Sequence, residues 1–317
     1  MGITSSKQSL NRARIPRDVA RANGWSRDAL SAYYEAVRRY AGLLWVTGVT
    51  IGLKEVVGQV DLAPGPVIAI HVRKKQEMAK VPRRLRIPRT ILGIPTDVIE
   101  ATYIRSGNGA AVSMSAMFPL RPGSSYARHD GSAATLAGVV EDGASVRYLL
   151  SSAHTLREGG HADPGALMVH PGPADSQQPI GVARYERTHL GTDSGIARLE
   201  TGIQVVNRAL ISNRVILAPQ PPQVLDILEK SGEATQVTRG RVSQFGIFGN
   251  VQGMRLVLPD ADSPPISQDG DSGSTWYDTT TSAAKGLHHG IDVGSNGRVA
   301  IASLMSTALK KLRVTWV

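Results

Sequence analysis

The chain has 317 residues, 41% of them hydrophobic and 20% charged, a globular balance that excludes an intrinsically disordered protein. It contains no cysteine, which excludes disulfides, thiolate metal sites and a cysteine nucleophile. The formal net charge is +10, and no apolar run reaches the roughly 18 residues that a membrane-spanning helix needs.

The start of the chain, MGITSSKQSLNRARIPRDVARANGW, is basic and polar and lacks the apolar core of a secretory signal. With the missing cysteines, this gives the expectation of a cytoplasmic protein. Residues 1–25 are expected to form a flexible leader. SRDALSAYYEAVRRYAGLLW then predicts a helix: Ser26 suits the N-cap, Asp28 the first turn, and Ala29, Ala32, Tyr33, Ala36, Tyr40 and Leu43 recur at helical spacing. VTGVTIGLKEVVG and PVIAIHV predict strands, the second apolar and β-branched.

Much of the positive charge follows in HVRKKQEMAKVPRRLRIPR, with Arg73, Lys74, Lys75, Lys80, Arg83, Arg84, Arg86 and Arg89. Such a run suits an acidic partner or nucleic acid. No aromatic residue interleaves it, which argues against base stacking. Its plainer reading is a solvated, mobile connection between strands. RIPRTILGIPTDVIEATYI turns at its prolines and closes with the short strand DVIEATYI. Residues 26–107 thus form a helix-and-strand module with no catalytic signature of its own.

From about residue 108, short strands alternate with Gly, Pro, Asp and Asn: TLAGVV, VRYLLSSA, IGVARYE, SGIARLE, RGRVSQFGIFG, MRLVLP, STWYD and KGLHHGI. This spacing predicts an all-β barrel or sandwich. PPQVLDILEK reads as a short helical or extended connector. VAIASLMSTALKKLRV begins as a strand and ends as a helix, with its Lys and Arg residues late, where they favour the helix dipole.

The chemistry centres on Ser272, in ISQDGDSGSTW. A serine hydroxyl is a poor nucleophile at neutral pH and needs an adjacent base. His154 ends the apolar strand of YLLSSAHTL, and the small residues before it let an imidazole enter a cleft. Asp193, in GTDSGIARLE, stands just before a short apolar strand. A buried carboxylate there can accept from a histidine N–H, fix its tautomer and stabilise the imidazolium. Each residue alone is ordinary, since most lone histidines and turn aspartates are structural. An α/β-hydrolase elbow, G-x-S-x-G, is excluded because residue 274 is Ser274. That fold also places its histidine after the serine, where only His288 and His289 stand, and it needs alternating strands and helices.

SSAHT, TDSGIARL and GDSGS, in this order, resemble the histidine, aspartate and nucleophile blocks of the chymotrypsin-like serine proteases, T-A-A-H, D-I-A-L and G-D-S-G. The resemblance covers about residues 108–317. It implies a mostly β chain, a chymotrypsin-like double β-barrel with a small α+β N-terminal module. Residues 108–202 would form the first barrel, with His154 and Asp193. Residues 203–317 would form the second, with Ser272 and a C-terminal helix. The implied activity is a serine endopeptidase acting on a protein or peptide. His154 is then general base and general acid, Asp193 orients it, and Ser272 forms an acyl-enzyme. Gly270 permits a turn that directs its N–H at the reacting carbonyl. With the N–H of Ser272 it would form the oxyanion hole, each donor worth about 3 kcal/mol. In relatives activated by cleavage, the acid before the nucleophile pairs with a freed N-terminal amine. Here Asp271 is expected to find another donor, an arginine or backbone N–H groups.

Further pieces, among them TIGLKEVVGQV, RIPRTILGIPTDVIE and KSGEATQVTRGRVSQF, resemble bacterial intracellular trypsin-like peptidases related to the plant Narrow Leaf 1 type proteins. That likeness places residues 45–106 with the protease and implies a narrow substrate or a gated site. In this fold the specificity pocket is lined just before the nucleophile and by the strand after it. Ile266 replaces the acid that selects Lys or Arg. His288 aligns with the histidine of G-I-H-W-G in glutamyl endopeptidases. With Ser267 beside it, cleavage after Glu or Asp is one expectation, and a satisfied core histidine is the other. His289 stands where the closer family has Phe. His161, Asp163 and His170 lie in an irregular loop without metal-ligand spacing, so no metal or cofactor is expected. Two other classes stay open: a protease-like binding module without catalysis, and a nucleic-acid-associated protein using the basic stretch. The oligomeric state is left open too.

Overall fold

The computed structural model describes residues 14–56, 59–61, 65–105, 116–131, 134–157, 163–173, 175–176, 178–260 and 263–317. Ser26 caps the predicted helix α2 (Arg27–Tyr40), preceded by a short α1 (Arg17–Ala22). The Ser26 hydroxyl oxygen accepts from the Ala29 N–H at 3.1 Å, which satisfies one of the helix's orphan donors. Ala29, Ala32, Tyr33, Ala36, Val37 and Tyr40 form the buried face. Residues 14–25 depart from the expected leader. Ile15, Val19 and Ala20 are buried in the same apolar cluster as Tyr33 and Phe245, and this burial anchors a segment that looks polar overall. Residues 1–13 of that leader lie outside the described residues.

The strands before the barrels are β1 (Val46–Gly52), β2 (Lys54–Val56), β3 (Gln59–Asp61), β4 (Val67–Val72), β5 (Thr90–Ile91), β6 (Ile94–Glu100) and β7 (Tyr103–Arg105). The next group is β8 (Ala127–Arg128), β9 (Gly138–Glu141), β10 (Arg147–Ser152), β11 (Leu167–His170), β12 (Ile180–His189) and β13 (Ser194–Leu199). Last come β14 (Ile227–Gly232), β15 (Gln236–Phe248), β16 (Val251–Val257), β17 (Thr275–Asp278), β18 (Ala284–Asp292), β19 (Val299–Leu304) and β20 (Thr315–Trp316). Helix α3 (Ala153–Leu156) follows β10, and α4 (Met305–Leu312) follows β19. The strand-then-helix reading of VAIASLMSTALKKLRV is thus matched. PPQVLDILEK is not helical: Val224 and Leu225 form a turn, and Ile227–Lys230 already belong to β14.

The chain is mostly β, with the chymotrypsin-like double-barrel arrangement. In the first barrel the order is β20-β9-β10-β13-β12-β11-β8. Residues 123–126 bond to residues 134–136, through Gly123 N–H to Leu136 O and Tyr126 N–H to Ala134 O, and so join the two ends. Leu120, Tyr126, Leu136, Leu149, Met168 and Val182 fill the interior. In the second, the order β14-β17-β18-β19-β16-β15 closes on itself because β14 also pairs with β15. Closure removes the exposed strand edges that invite aggregation. Ala137, Tyr148, Leu150 and Ile196 of the first barrel pack on Tyr277, Leu287, Met305 and Leu309 of the second.

Strands β1, β4, β6 and β7, from the helix-and-strand module expected over residues 26–107, extend the second barrel's sheet. Strand β15 outruns β14, and β1 pairs with its free end from Gly48↔Phe248 to Gly52↔Gln244. Strands β4 and β6 continue that sheet, and β7 pairs with β18. Gly290 of β18 is needed there, because a Cβ would meet the Ile104 carbonyl at 2.4 Å. At the other end, β20 leaves the second barrel's range and pairs with β9 of the first.

A buried polar chain fastens the N-terminal strands to the barrel. Arg255 donates to Glu55 through Nε and Nη2, at 2.9 and 3.0 Å, and through Nη1 to the Tyr103 hydroxyl at 2.8 Å. Tyr103 then donates to Nδ1 of His71, whose Nε2–H donates to Thr50 Oγ1 at 2.9 Å. Thr50 passes its hydrogen to Gln244 Oε1 at 2.8 Å. This direction of donation makes His71 neutral. A fully satisfied network of this kind holds one arrangement of the strands.

Candidate active site

Strand β10 ends in the small buried residues Ser151 and Ser152, and buried Ala153 opens α3, which places His154 in its first turn. Asp193 follows a 3-10 turn and adopts a left-handed conformation, φ 41° and ψ 47°. That turn aims its carboxylate inward, where it is fully buried. Its Oδ1 accepts from the His154 backbone N–H at 3.1 Å, and its Oδ2 from Nδ1 of the imidazole at 2.6 Å. Its backbone carbonyl accepts from the Ala153 N–H at 2.9 Å. On the far side of the ring, Nε2 lies 2.9 Å from Ser272 Oγ. With Nδ1–H donated to Asp193, Nε2 is the acceptor for the Ser272 hydroxyl. The structure thus brings together all three residues singled out in the sequence, two from the first barrel and one from the second.

The loop before Ser272 is gripped from the first barrel. Thr135 donates its hydroxyl to the Gly270 carbonyl and its N–H to the Ser272 carbonyl, both at 2.8 Å. Gly270 has φ +102°, a conformation that a side chain would strain.

Asp271 is fully buried and finds the expected backbone N–H donors, but its cation is a lysine rather than an arginine. Lys230 Nζ donates to Oδ2 at 2.8 Å, as does the Thr235 hydroxyl at 2.7 Å. The backbone N–H groups of Gln268, Ala234 and Thr235 complete the shell at 3.1, 3.2 and 3.0 Å. Burial acts to raise the Asp271 pKa, yet Lys230 and the donors hold it below the usual carboxylate value. Lys230 itself is fully buried. Replacing it by Met is therefore expected to destabilise the protein by about 3–5 kcal/mol, because Asp271 keeps a buried charge without its partner. The loop carrying Gly270 and Ser272 then loses its anchor. Urea unfolding of Lys230→Met and of Lys230→Met/Asp271→Asn checks this, with the double variant recovering part of the loss. Equal stability of Lys230→Met and wild type would remove the anchor role.

Asp193 has two further neighbours, Arg105 and His289. The Arg105 guanidinium, half-exposed at the end of β7, lies 3.7 Å from its Oδ2. His289 is buried, and its Nε2 has no hydrogen-bond partner among the described residues. Burial raises the Asp193 pKa, but His154 first, then His289 and Arg105, outweigh it and leave the carboxyl below its ordinary value. Burial pushes the His289 ring down to about 4, against the pull of Asp193. Sequence reasoning missed Arg105. It lies just before a Gly-rich stretch, far from any catalytic block, and only the β7–β18 pairing brings it in.

The four residues expected at the specificity pocket separate. Ile266 is buried and belongs to the apolar core of the second barrel. Ser267 and His288 meet, with Ser267 Oγ 2.7 Å from Nε2. The Trp276 indole N–H donates to Nδ1 of the same ring at 3.4 Å. His289, its neighbour on the strand, lies near Asp193, His154 and Arg105 instead. The register of β18 against β19 shifts between His288 and Gly290, so the two histidines stand at an irregularity of the strand. Of the loop weighed for a metal, Asp163 pairs with Arg128 at 2.9 Å, and His170 bonds to the Ser125 carbonyl and the Met117 N–H. His161 lies outside the described residues.

No family model matches the chain, and no curated protein sequence does. Among solved structures it is similar to a glutamic-acid-specific serine protease described as using a novel histidine triad in substrate binding. The two share 24% identity over 62% of this chain and 100% of that one, with a TM-score of 0.49. It is also similar to the chymotrypsin of Cellulomonas bogoriensis, at 13% identity over 62% and 99% of the two chains and a TM-score of 0.45. A Nocardiopsis protease matches at 11% identity over 62% and 100%, with a TM-score of 0.43. The likeness is one of fold, a mostly β chain wound into two barrels.

Proposed function

We propose that the protein is a serine endopeptidase. The observation that carries this reading is the continuous hydrogen-bonded chain from buried Asp193 through His154 to Ser272, at 2.6 and 2.9 Å. Ser272 Oγ attacks the scissile carbonyl carbon while His154 Nε2 takes its proton. Asp193 stabilises the resulting imidazolium without taking a proton itself. The developing oxyanion is met by the N–H groups of Gly270 and Ser272. Collapse breaks the C–N bond, and His154 returns the proton to the leaving amine. Water then attacks the acyl-enzyme, activated by the same imidazole. Lys230 already neutralises Asp271, so the loop is formed without a freed N-terminal amine, and we expect no zymogen step. A fluorophosphonate probe tests the reading. Covalent labelling of wild type that disappears in Ser272→Ala supports it, and no labelling of wild type leaves the non-catalytic binding module in its place.

The substrate reading is an acidic P1 residue. His288 accepts from Trp276 at Nδ1, so its Nε2–H donates to Ser267 Oγ, and the Ser267 hydroxyl hydrogen is left for a substrate carboxylate. Burial holds His288 well below its ordinary pKa, so this relay works with a neutral ring. Reporter peptides with P1 Glu are expected to be cleaved about tenfold faster, in kcat/KM, than those with P1 Leu or Arg, the value of one hydrogen bond to a charged group. Ser267→Ala should erase that difference. Equal rates for all three peptides in wild type overturn the acidic preference.

A further inference from the structure

A cavity of about 620 Å³ opens beneath the basic connection that joins β4 to β6, away from the Ser272 site. That size suits a small ligand or one end of a peptide. The connection itself contains two 3-10 turns, Met78–Lys80 and Arg83–Leu85, and so is more regular than a solvated linker. Three kinds of chemistry meet in the cavity. Trp45, Val72, Leu85, Ile87 and Val98 give it apolar walls. Lys74, Lys75, Arg86 and Arg89 line it as well, and Arg86 is steered by an Nε–H bond to the Val81 carbonyl at 2.9 Å. Asp97 is the third part. Its Oδ1 accepts from the Val98 N–H at 2.8 Å, while its Oδ2 is buried with no hydrogen-bond partner among the described residues. A buried acceptor left unpaired costs about 1–3 kcal/mol, a cost that a ligand's N–H would remove.

An occupant must therefore combine an apolar group, an anion and an N–H donor. A bare acyl chain lacks the donor. A nucleotide base would need aromatic faces to stack on, and of the lining residues only Trp45 is aromatic. A peptide C-terminus has all three. We propose that this cavity binds the free C-terminal end of a peptide whose last residues are apolar. The terminal carboxylate meets Arg86, Arg89 and the two lysines, the apolar side chain enters between Trp45, Leu85 and Ile87, and a backbone N–H is accepted by Asp97.

The test is independent of the catalytic reading, because it is done by calorimetry on full-length Ser272→Ala protein. The probe is a hexapeptide ending in Val-Leu with a free carboxylate, compared with its C-terminal amide. Saturable binding of the acid is expected, with the amide at least about tenfold weaker, the value of roughly one charge-assisted contact. Arg86→Gln/Arg89→Gln should weaken the acid by a similar factor, and raised salt should weaken it further. This double variant also separates the cavity from product binding near residue 272, which it should leave unchanged. No saturable binding, equal affinity for acid and amide, or no effect of the double variant overturns the proposal. Displacement of the peptide by dodecanoate at lower concentration overturns it in favour of an acyl ligand.

Discussion

Ser272→Ala is expected to lower kcat/KM for peptide hydrolysis roughly a million-fold, and His154→Ala by a similar factor. The two residues act as a unit, since the hydroxyl is only useful once Nε2 can take its proton. The double variant should therefore be no worse than either single one, a sharp departure from additivity. Asp193→Asn is expected to cost about ten-thousand-fold, because an amide N–H facing Nδ1 imposes the wrong imidazole tautomer. Steady-state kinetics of the four variants and wild type on one reporter peptide measures all of this. A Ser272→Ala enzyme within tenfold of wild type would assign hydrolysis to another group.

Stability is expected to fall as pH drops from about 6.5 towards 4, above the range where most carboxylates titrate. His71, His170, His288 and His289 are all buried, and burial is the first cause holding each below its ordinary value of 6.5. Their bonds agree with neutral rings. His71 and His170 each use one nitrogen as an acceptor, from Tyr103 and Met117, and protonation would break that bond. The folded state thus stays unprotonated at these rings while the unfolded chain takes up protons below pH 6.5. The unfolded state binds more protons across the window, so stability rises with pH there and is lost on acidification. For His289, held near 4, the full loss is about 3 kcal/mol, a large share of a typical 5–15 kcal/mol. Asp193 and Asp271 act below this window. Their depressed pKa values stabilise the fold above about pH 4, and that contribution disappears as they protonate. Urea unfolding at pH 7.5, 5.5 and 4.5 measures the slope, and His289→Phe should flatten it. Unchanged stability between pH 7.5 and 5.5 contradicts the assignment of neutral buried rings.

Much of the site was legible because its signals are short. Ser272 lies in a block of small residues that needs no distant partner to be recognised, and His154 and Asp193 carry local contexts of their own. The helix at residues 27–40 shows in its periodicity and its Ser26 cap. The residues that surround the three were not legible. Lys230 meets Asp271 across 41 residues, and nothing near Lys230 marks it as buried. Arg105 reaches Asp193 only because β7 lies along β18. His288 and His289 are adjacent and chemically identical, yet one faces Ser267 and the other the charges around Asp193.

By itself, then, the sequence determined the strand-and-turn rhythm, the mostly β class, and the order of histidine, aspartate and serine. These follow from period-two burial and from turn chemistry, both properties of a few consecutive residues. The tertiary structure alone decided that β1, β4 and β6 extend the second barrel, that β20 crosses to the first, and that Lys230 pairs with Asp271 in the loop that carries Ser272. Those outcomes come from pairing between strands far apart in the chain. Their partners are chosen by which edges and buried charges would otherwise go unsatisfied, and local sequence carries little record of that choice.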